Sequence, residues 1–179
     1  MAKLIYLFPR ANPTKVPHNI KYCILFPDCQ FIKQRNAIVE KHATIEATEL
    51  CPVRIIRFQF RQLMHNLIGN ALKFSSPDRP PHIVIKSRMV EGGKLTHPQL
   101  SPETVYCNIS VTDNGIGFEK EYREKIFEVF QRLHSKDEYP GTGIGLAIVK
   151  KIVDNHHGII SVTSELNKGA RFDIYIPAN

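Results

Sequence analysis

No stretch of the 179-residue chain approaches the roughly 18 consecutive apolar residues of a membrane span, so no membrane-spanning helix is expected within it. The apolar LIYLF after Lys3 is shorter than the core of a secretory signal and lacks a small-residue cleavage site, so export is not expected. Cysteine is scarce. Cys23, Cys29, Cys51 and Cys107 form neither CxxC pairs nor a compact framework, which points to reduced structural thiols in a cytoplasmic setting, with Cys23 and Cys29 able to pair if oxidised. Internal repeats and low-complexity segments are absent as well. The formal charge of +7 is confined to one part of the chain: residues 1–73 hold 11 Lys/Arg against 4 Asp/Glu, and residues 74–179 are balanced. This reads as a basic N-terminal face or arm, with neither a nucleic-acid groove nor a membrane contact expected.

What is there suits one soluble domain, since 42% hydrophobic content at this length supports a sizeable core. The first 35 residues, with prolines at 9, 13, 17 and 27, show no sustained period and read as an irregular arm holding at most one short strand. From Asn36 the pattern settles. ATIEAT (43–48) alternates like a strand, and FRQLMHNLIGNALKF (60–74) carries apolar residues at 60, 63, 64, 67, 68, 71 and 72, the spacing of an amphipathic helix. HIVIKSRMV (82–90) and YCNISVTD (106–113) alternate as strands. A charged stretch follows DNGIGF, with one or two helical turns around REKIFEVFQRL; then come a helix to about His156 and two closing strands, GIISVTS (158–164) and ARFDIYI (170–176). Several strand pairs have short links and so are antiparallel, which predicts an α+β fold: a two-layer α/β sandwich whose mixed, mainly antiparallel sheet carries its helices on one face.

Three groups of residues could carry chemistry. On the predicted 60–74 helix, Asn66, Asn70 and Lys73 share one side, away from Leu67, Ala71 and Met64. A carboxamide oxygen can ligate a hard cation such as Mg²⁺, and an ammonium one turn on can meet phosphate oxygens; a solvated polar face is the plainer reading. Asp113 ends a strand and is followed by Gly115 and Gly117. A carboxylate there can accept a hydrogen bond from an exocyclic amine, although Asp-Asn-Gly is also strong turn chemistry. Gly141, Gly143 and Gly145 open a helix, where bare N–H groups and the macrodipole favour an anion. Their spacing matches neither G-x-G-x-x-G nor G-x-x-x-x-G-K-[ST], which excludes the dinucleotide fingerprint and the Walker loop.

In this order, HNLIGNALKF, DNGIGF, IFEVFQRL and GTGIGLAIVKKIV resemble the N, G1, F and G2 boxes of the ATP-binding domain of sensor histidine kinases, in the superfamily shared with gyrase, Hsp90 and MutL. The resemblance runs from about Asn36 to Pro177 and is nearest to kinases of the multi-PAS or phytochrome-like kind. It implies the Bergerat ATP-binding fold over residues 36–179, with an ATP lid at about 118–140. ATP and Mg²⁺ are the implied cofactors, with Asn70 as the metal ligand and Asn66, Lys73 and Arg132 on the phosphates. Asp113 would read the adenine amino group in a pocket shaped by Gly115 and Gly117. Phe127 and Phe130 would anchor the lid hinge, and Gly141, Thr142, Gly143, Gly145 and Leu146 would close on the phosphates. The implied activity is transfer of the γ-phosphoryl group to a histidine on a separate dimerisation and phosphoacceptor domain, serving a response regulator indirectly.

Members that hydrolyse ATP carry a general-base Glu four residues before the metal-binding Asn. Asn66 stands there instead and cannot accept a proton, so rapid hydrolysis is disfavoured. No His followed by Asp or Glu is found on a long helical hairpin: His18 precedes Asn19, His42 precedes Ala43, and His65 lies within the N box as a helix-surface residue. Two functions therefore stay open, the catalytic half of a histidine kinase or a nucleotide-binding regulatory module that transfers nothing; a small ATPase or serine-type kinase is opposed by Asn66. Because no box lies within residues 1–35, removing them is expected to leave ATP affinity unchanged in calorimetry, and a loss of affinity would place the arm within the domain.

Overall fold

Alternate positions of HIVIKSRMVE differ sharply in surroundings: Ile83 and Ile85 are fully buried, whereas Lys86 and Arg88 are exposed. A period of two sends successive side chains to opposite faces of a sheet, and the segment forms strand β4 (His82–Glu91). A computed structural model of the chain describes residues 4–5, 32–47, 51–95, 98–131, 133 and 141–178. Strand β1 (Leu4–Ile5), helix α1 (Ile32–Glu40), β2 (Thr44–Ala47), β3 (Val53–Arg54) and α2 (Arg57–Lys73) precede β4. After it come β5 (Val105–Asp113), α3 (Gly145–Asn155), β6 (Ile159–Glu165) and β7 (Gly169–Pro177).

Five strands form one sheet in the order β2-β4-β5-β7-β6; β2 pairs with β4 in parallel and every other neighbour is antiparallel. The parallel pair needs a crossover, and α2 supplies it. Register fixes one apolar face, because Ile85 lies opposite Val111, Ile109 opposite Ile174, and Ile174 opposite Ile160, all of them buried. Phe60, Leu63, Met64, Leu67, Ile68, Ala71 and Leu72 of α2, with Val149, Ile152 and Val153 of α3, join the same core. Each such aliphatic side chain contributes about 1.5–3 kcal/mol by leaving water. The two-layer α+β sandwich expected from the sequence is therefore the fold observed.

The start of α2 has no side-chain cap, whereas at its end the Phe74 N–H bonds the Asn70 carbonyl. At its start the Ile56 N–H donates to His156 Nε2 (2.8 Å), while His156 Nδ1 meets the Ile152 carbonyl (2.7 Å). Two partners of opposite kind require the neutral ring with its proton on Nδ1, so one imidazole joins the foot of α2 to the last turn of α3. At the other end, Lys41 Nζ donates to the Leu72 carbonyl (2.7 Å) and to Ser75 Oγ (2.9 Å), a cation on the negative end of the helix.

Local differences from the sequence reading have physical causes. Helix α2 begins at Arg57, three residues before the apolar period is visible. Helix α1 straddles the boundary drawn at residues 35 and 36, although its sequence IKQRNAIVE has little apolar patterning to reveal it. In the charged stretch, two single 3₁₀ turns form, Lys120–Tyr122 and Lys125–Phe127. Leu4–Ile5 of the arm pairs antiparallel with Val53–Arg54. The reading of the thiols is corrected: Cys51 and Cys107 are joined in a disulfide, 56 residues apart, with Cys107 fully buried on β5. Sequence spacing gave no sign of a bond that depends on β5 passing beneath the segment before β3, and the cytoplasmic reading loses the support it drew from unpaired thiols. Cys23 and Cys29 lie outside the described residues. By the chain-entropy estimate for a loop of this length, Cys51→Ser or full reduction is expected to cost about 4 kcal/mol of stability, read as a lower melting temperature. An unchanged melting temperature would show that the link contributes nothing.

Candidate functional site

Because Asn66, Asn70 and Lys73 recur at helical spacing opposite the buried Leu67 and Ala71, α2 carries all three along one line, each half-buried. They form one wall of a cavity of about 320 Å³ between α2, the end of β5 and the start of α3. Asn66 Oδ1 accepts a hydrogen bond from Gln62 Nε2 at 3.4 Å, but its buried Nδ2 has no partner among the described residues. A buried donor left in this way costs about 1–3 kcal/mol unless a ligand meets it. Lys73 Nζ stands 4.4 Å from the centre of the Phe74 ring, and a Cβ placed on Gly141 would lie 2.8 Å from that nitrogen.

The second wall is the end of the central strand. Asp113 lies on the helix-facing side of β5, opposite Ile83, and its Oδ1 accepts from the Gly115 N–H (2.9 Å) and the Ala170 N–H (3.2 Å). Burial holds its carboxyl above the usual Asp range, and the two N–H bonds only partly oppose that effect. The loop after Asp113 is fastened to α2 through the Ile116 N–H and the Phe74 carbonyl (3.0 Å). Gly117 has φ +63°, and a Cβ there would sit 2.1 Å from the Glu165 carbonyl oxygen, so no other residue fits. Phe118 and Phe172 add apolar lining beside it.

Gly141, Thr142, Gly143, Gly145 and Leu146 make the third wall. Gly143 turns the chain at φ +73° just before α3, whose N-cap Ile144 makes no side-chain cap. The first N–H groups of such a helix have no intrahelical acceptor.

Of the residues singled out from sequence, Asn66, Asn70, Lys73, Asp113, Gly117, Gly141, Thr142, Gly143, Gly145 and Leu146 all line this one cavity. Gly115 does not line it and acts through its N–H on Asp113. Arg132 lies outside the described residues. Phe127 packs edge-on against Phe172 with ring centres 6.5 Å apart, whereas Phe130 is 75% exposed at φ +65° among the described residues. The lining residues that the sequence reading does not single out include His65, Gln131 and Leu133. His65 was read as a helix-surface residue; it borders the cavity, and burial lowers its pKa below the ordinary value. Only adjacency to Asn66 could have marked it, whereas Gln131 and Leu133 sit where no period exists.

Residues 56–179 match the family described as histidine kinase-, DNA gyrase B- and HSP90-like ATPase, more than half of the chain. The chain belongs to that family. Among curated proteins it is similar to Cyanobacterial phytochrome A of Nostoc sp., 43% identical over 143 residues, and to Phytochrome-like protein Cph1 of Synechocystis sp., 39% identical over 146 residues. These alignments cover 80% and 82% of the chain but 17% of each relative, so the chain spans less than a fifth of their length. Among solved structures, full-length ShkA in complex with AMPPNP is 26% identical at a TM-score of 0.62, covering 82% of this chain and 28% of that one. The nucleotide-free catalytic domain of histidine kinase ThkA is 25% identical at 0.62, covering 83% and 87%. The mycobacterial sensor histidine kinase MprB, at 23% identity and 0.62 over 83% and 91%, shares the fold. An ATP-binding domain of histidine-kinase type is thus what the chain contains.

A carboxyl whose pKa is raised by folding contributes stability that is complete below its unfolded value and is lost as pH rises through the folded value. Asn at position 113 keeps an oxygen for both N–H groups and carries no charge. Without nucleotide, Asp113→Asn is expected to be more stable than the parent at pH 7, the difference closing below about pH 4. Denaturant titrations from pH 3 to 8 check this, and a gap persisting in acid would remove charge burial as its cause.

Proposed function

We propose that the chain binds Mg·ATP in the 320 Å³ cavity and donates the γ-phosphoryl group to a histidine on a separate phosphoacceptor domain, as the catalytic part of a two-component sensor kinase. The observation that carries the reading is the convergence of four sequence-distant boxes on one cavity, with a carboxamide, Asn66, at the position where a hydrolysing site needs a base.

Asp113, held by two N–H donors, accepts from the adenine amino group, and the apolar wall of Phe118 and Phe172 takes the flat ring. Asn66 Nδ2, Lys73 Nζ, Arg132 and the first N–H groups of α3 meet phosphate oxygens. Among the described residues no group of three or more His, Cys, Asp or Glu is placed to hold a metal. That fits Mg²⁺, which binds through one or two protein oxygens plus nucleotide phosphates, and Asn70 Oδ1 is the oxygen this chain would supply. When bound, such an ion would supply charge neutralisation on the nucleotide phosphates. In the transfer, the bond from γ-phosphorus to the β–γ bridging oxygen breaks, a bond to an imidazole nitrogen forms, and ADP leaves. The residues here align and neutralise, while proton acceptance falls to the acceptor domain.

The ATP-binding unit in this reading spans residues 36–179, with 1–35 as an arm outside it. Since α1 begins at Ile32, a cut ahead of that residue tests the division without severing the helix. Among the described residues no helix is long and apolar enough to cross a membrane, and a cytoplasmic setting belongs to this proposal.

A regulatory module whose lid responds to nucleotide without transfer is the second reading, kept open because Asn66 supplies no base of its own. Labelled ATP incubated with the chain and a separate family acceptor domain is expected to put label on the acceptor, and tight ATP binding with no label transferred would leave the regulatory reading. Asn70→Ala and Asp113→Asn are each expected to abolish measurable Mg·ATP affinity in calorimetry while the far-ultraviolet circular dichroism stays unchanged.

A further inference from the structure

Arg79, in the link between α2 and β4, belongs to none of the four boxes, yet its half-buried guanidinium donates to three main-chain carbonyls of the site. Nε bonds the Asn114 carbonyl (2.8 Å), and Nη2 bonds the Gly115 carbonyl (3.0 Å) and the Asn167 carbonyl in the β6–β7 turn. Gly115 supplies one of the two N–H groups on Asp113, and the Asn167 turn leads directly into Ala170, which supplies the other. A second strut accompanies it: Asn114 Nδ2 donates to the Pro80 carbonyl (3.0 Å), next to Arg79, and Asn114 Oδ1 accepts the His82 N–H (2.8 Å). One side chain thus clasps both segments that orient the carboxylate.

We propose that Arg79 is a positioning residue that sets Asp113 for reading the 6-amino group of a purine, and so governs base selectivity without touching the nucleotide. The inference rests on the assignment of Asp113 to the adenine. Arginine suits the task because its planar fork presents several donors in fixed directions, whereas lysine offers a point charge on a flexible stem. Turn carbonyls packed this closely need donors in any case, and here a single group meets three of them at once.

The experiment compares Mg²⁺-supported affinities of the full chain for ATP, for purine riboside triphosphate, which lacks the amino group, and for tripolyphosphate. In Arg79→Ala the preference for ATP over the purine analogue is expected to fall about tenfold, as for loss of one hydrogen bond to a charged group, with tripolyphosphate affinity unchanged. A folded Arg79→Ala with the parent's preference overturns the proposal, as does an equal weakening of all three ligands. If Arg79→Ala does not fold, Arg79→Lys carries the test, since it keeps the charge and loses the fork: a reduced preference supports the proposal and an unchanged one overturns it. If Asp113→Asn alone leaves the preference intact, the adenine assignment has failed. The positioning claim is then read from amide exchange at Gly115 and Ala170, which must quicken in the Arg79 variant for the claim to stand.

Discussion

Asp113 Oδ1 accepts from two main-chain N–H groups, one two residues on in its own turn and one 57 residues on at the start of β7. That carboxylate is largely removed from water, so its charge is tolerated only while both donors stay in place. The demand propagates outward. Gly115 is fixed through Arg79, Ile116 through the Phe74 carbonyl and the Asn167 N–H, and Phe118 through Ser164 Oγ, which itself donates to the Gly169 carbonyl. The end of the central strand, the C-terminus of α2 and the last hairpin are therefore one hydrogen-bonded unit.

Magnitudes separate scaffold from site. Burial of Ile83, Ile85, Ile109, Leu67 and their neighbours contributes more than one kcal/mol each and fixes which face of the sheet the helices cover. A hydrogen bond in the unit around Asp113 nets about 1 kcal/mol, too little to choose the fold but enough to choose an angle. The apolar face sets where the cavity is, and in the proposed function the polar unit would set which base it accepts. Phosphate recognition would ask less of geometry: a helix start, an ammonium and two carboxamides would suffice, and nothing among them can take a proton from water.

Much of this was legible in the sequence because it is periodic or rigidly spaced. Period two revealed β4, β5, β6 and β7, the helical period revealed α2, and glycines at alternate positions marked the start of α3. The four boxes then placed ten of the lining residues together. What stayed hidden has no local signature. Helix α1 has weak patterning; Cys51 and Cys107 meet only because of sheet topology; Phe130 looks like a core aromatic and lies in solvent. Arg79 illustrates the limit most plainly. As one basic residue between prolines it reads as loop punctuation, and its three acceptors are brought to it by segments 35 to 88 residues away.

The link between Cys51 and Cys107 closes a covalent ring around β3, α2 and β4. Tension applied along the chain from its amino-terminal side would bypass that ring and pass through two sulfur atoms into the middle of the sheet. The helix carrying Asn66, Asn70 and Lys73 would bear no load, while Asp113, six residues beyond the ring, would feel all of it. If a neighbouring segment ever pulls on this domain, the Asp113 end of the cavity would register the force and α2 would be shielded from it.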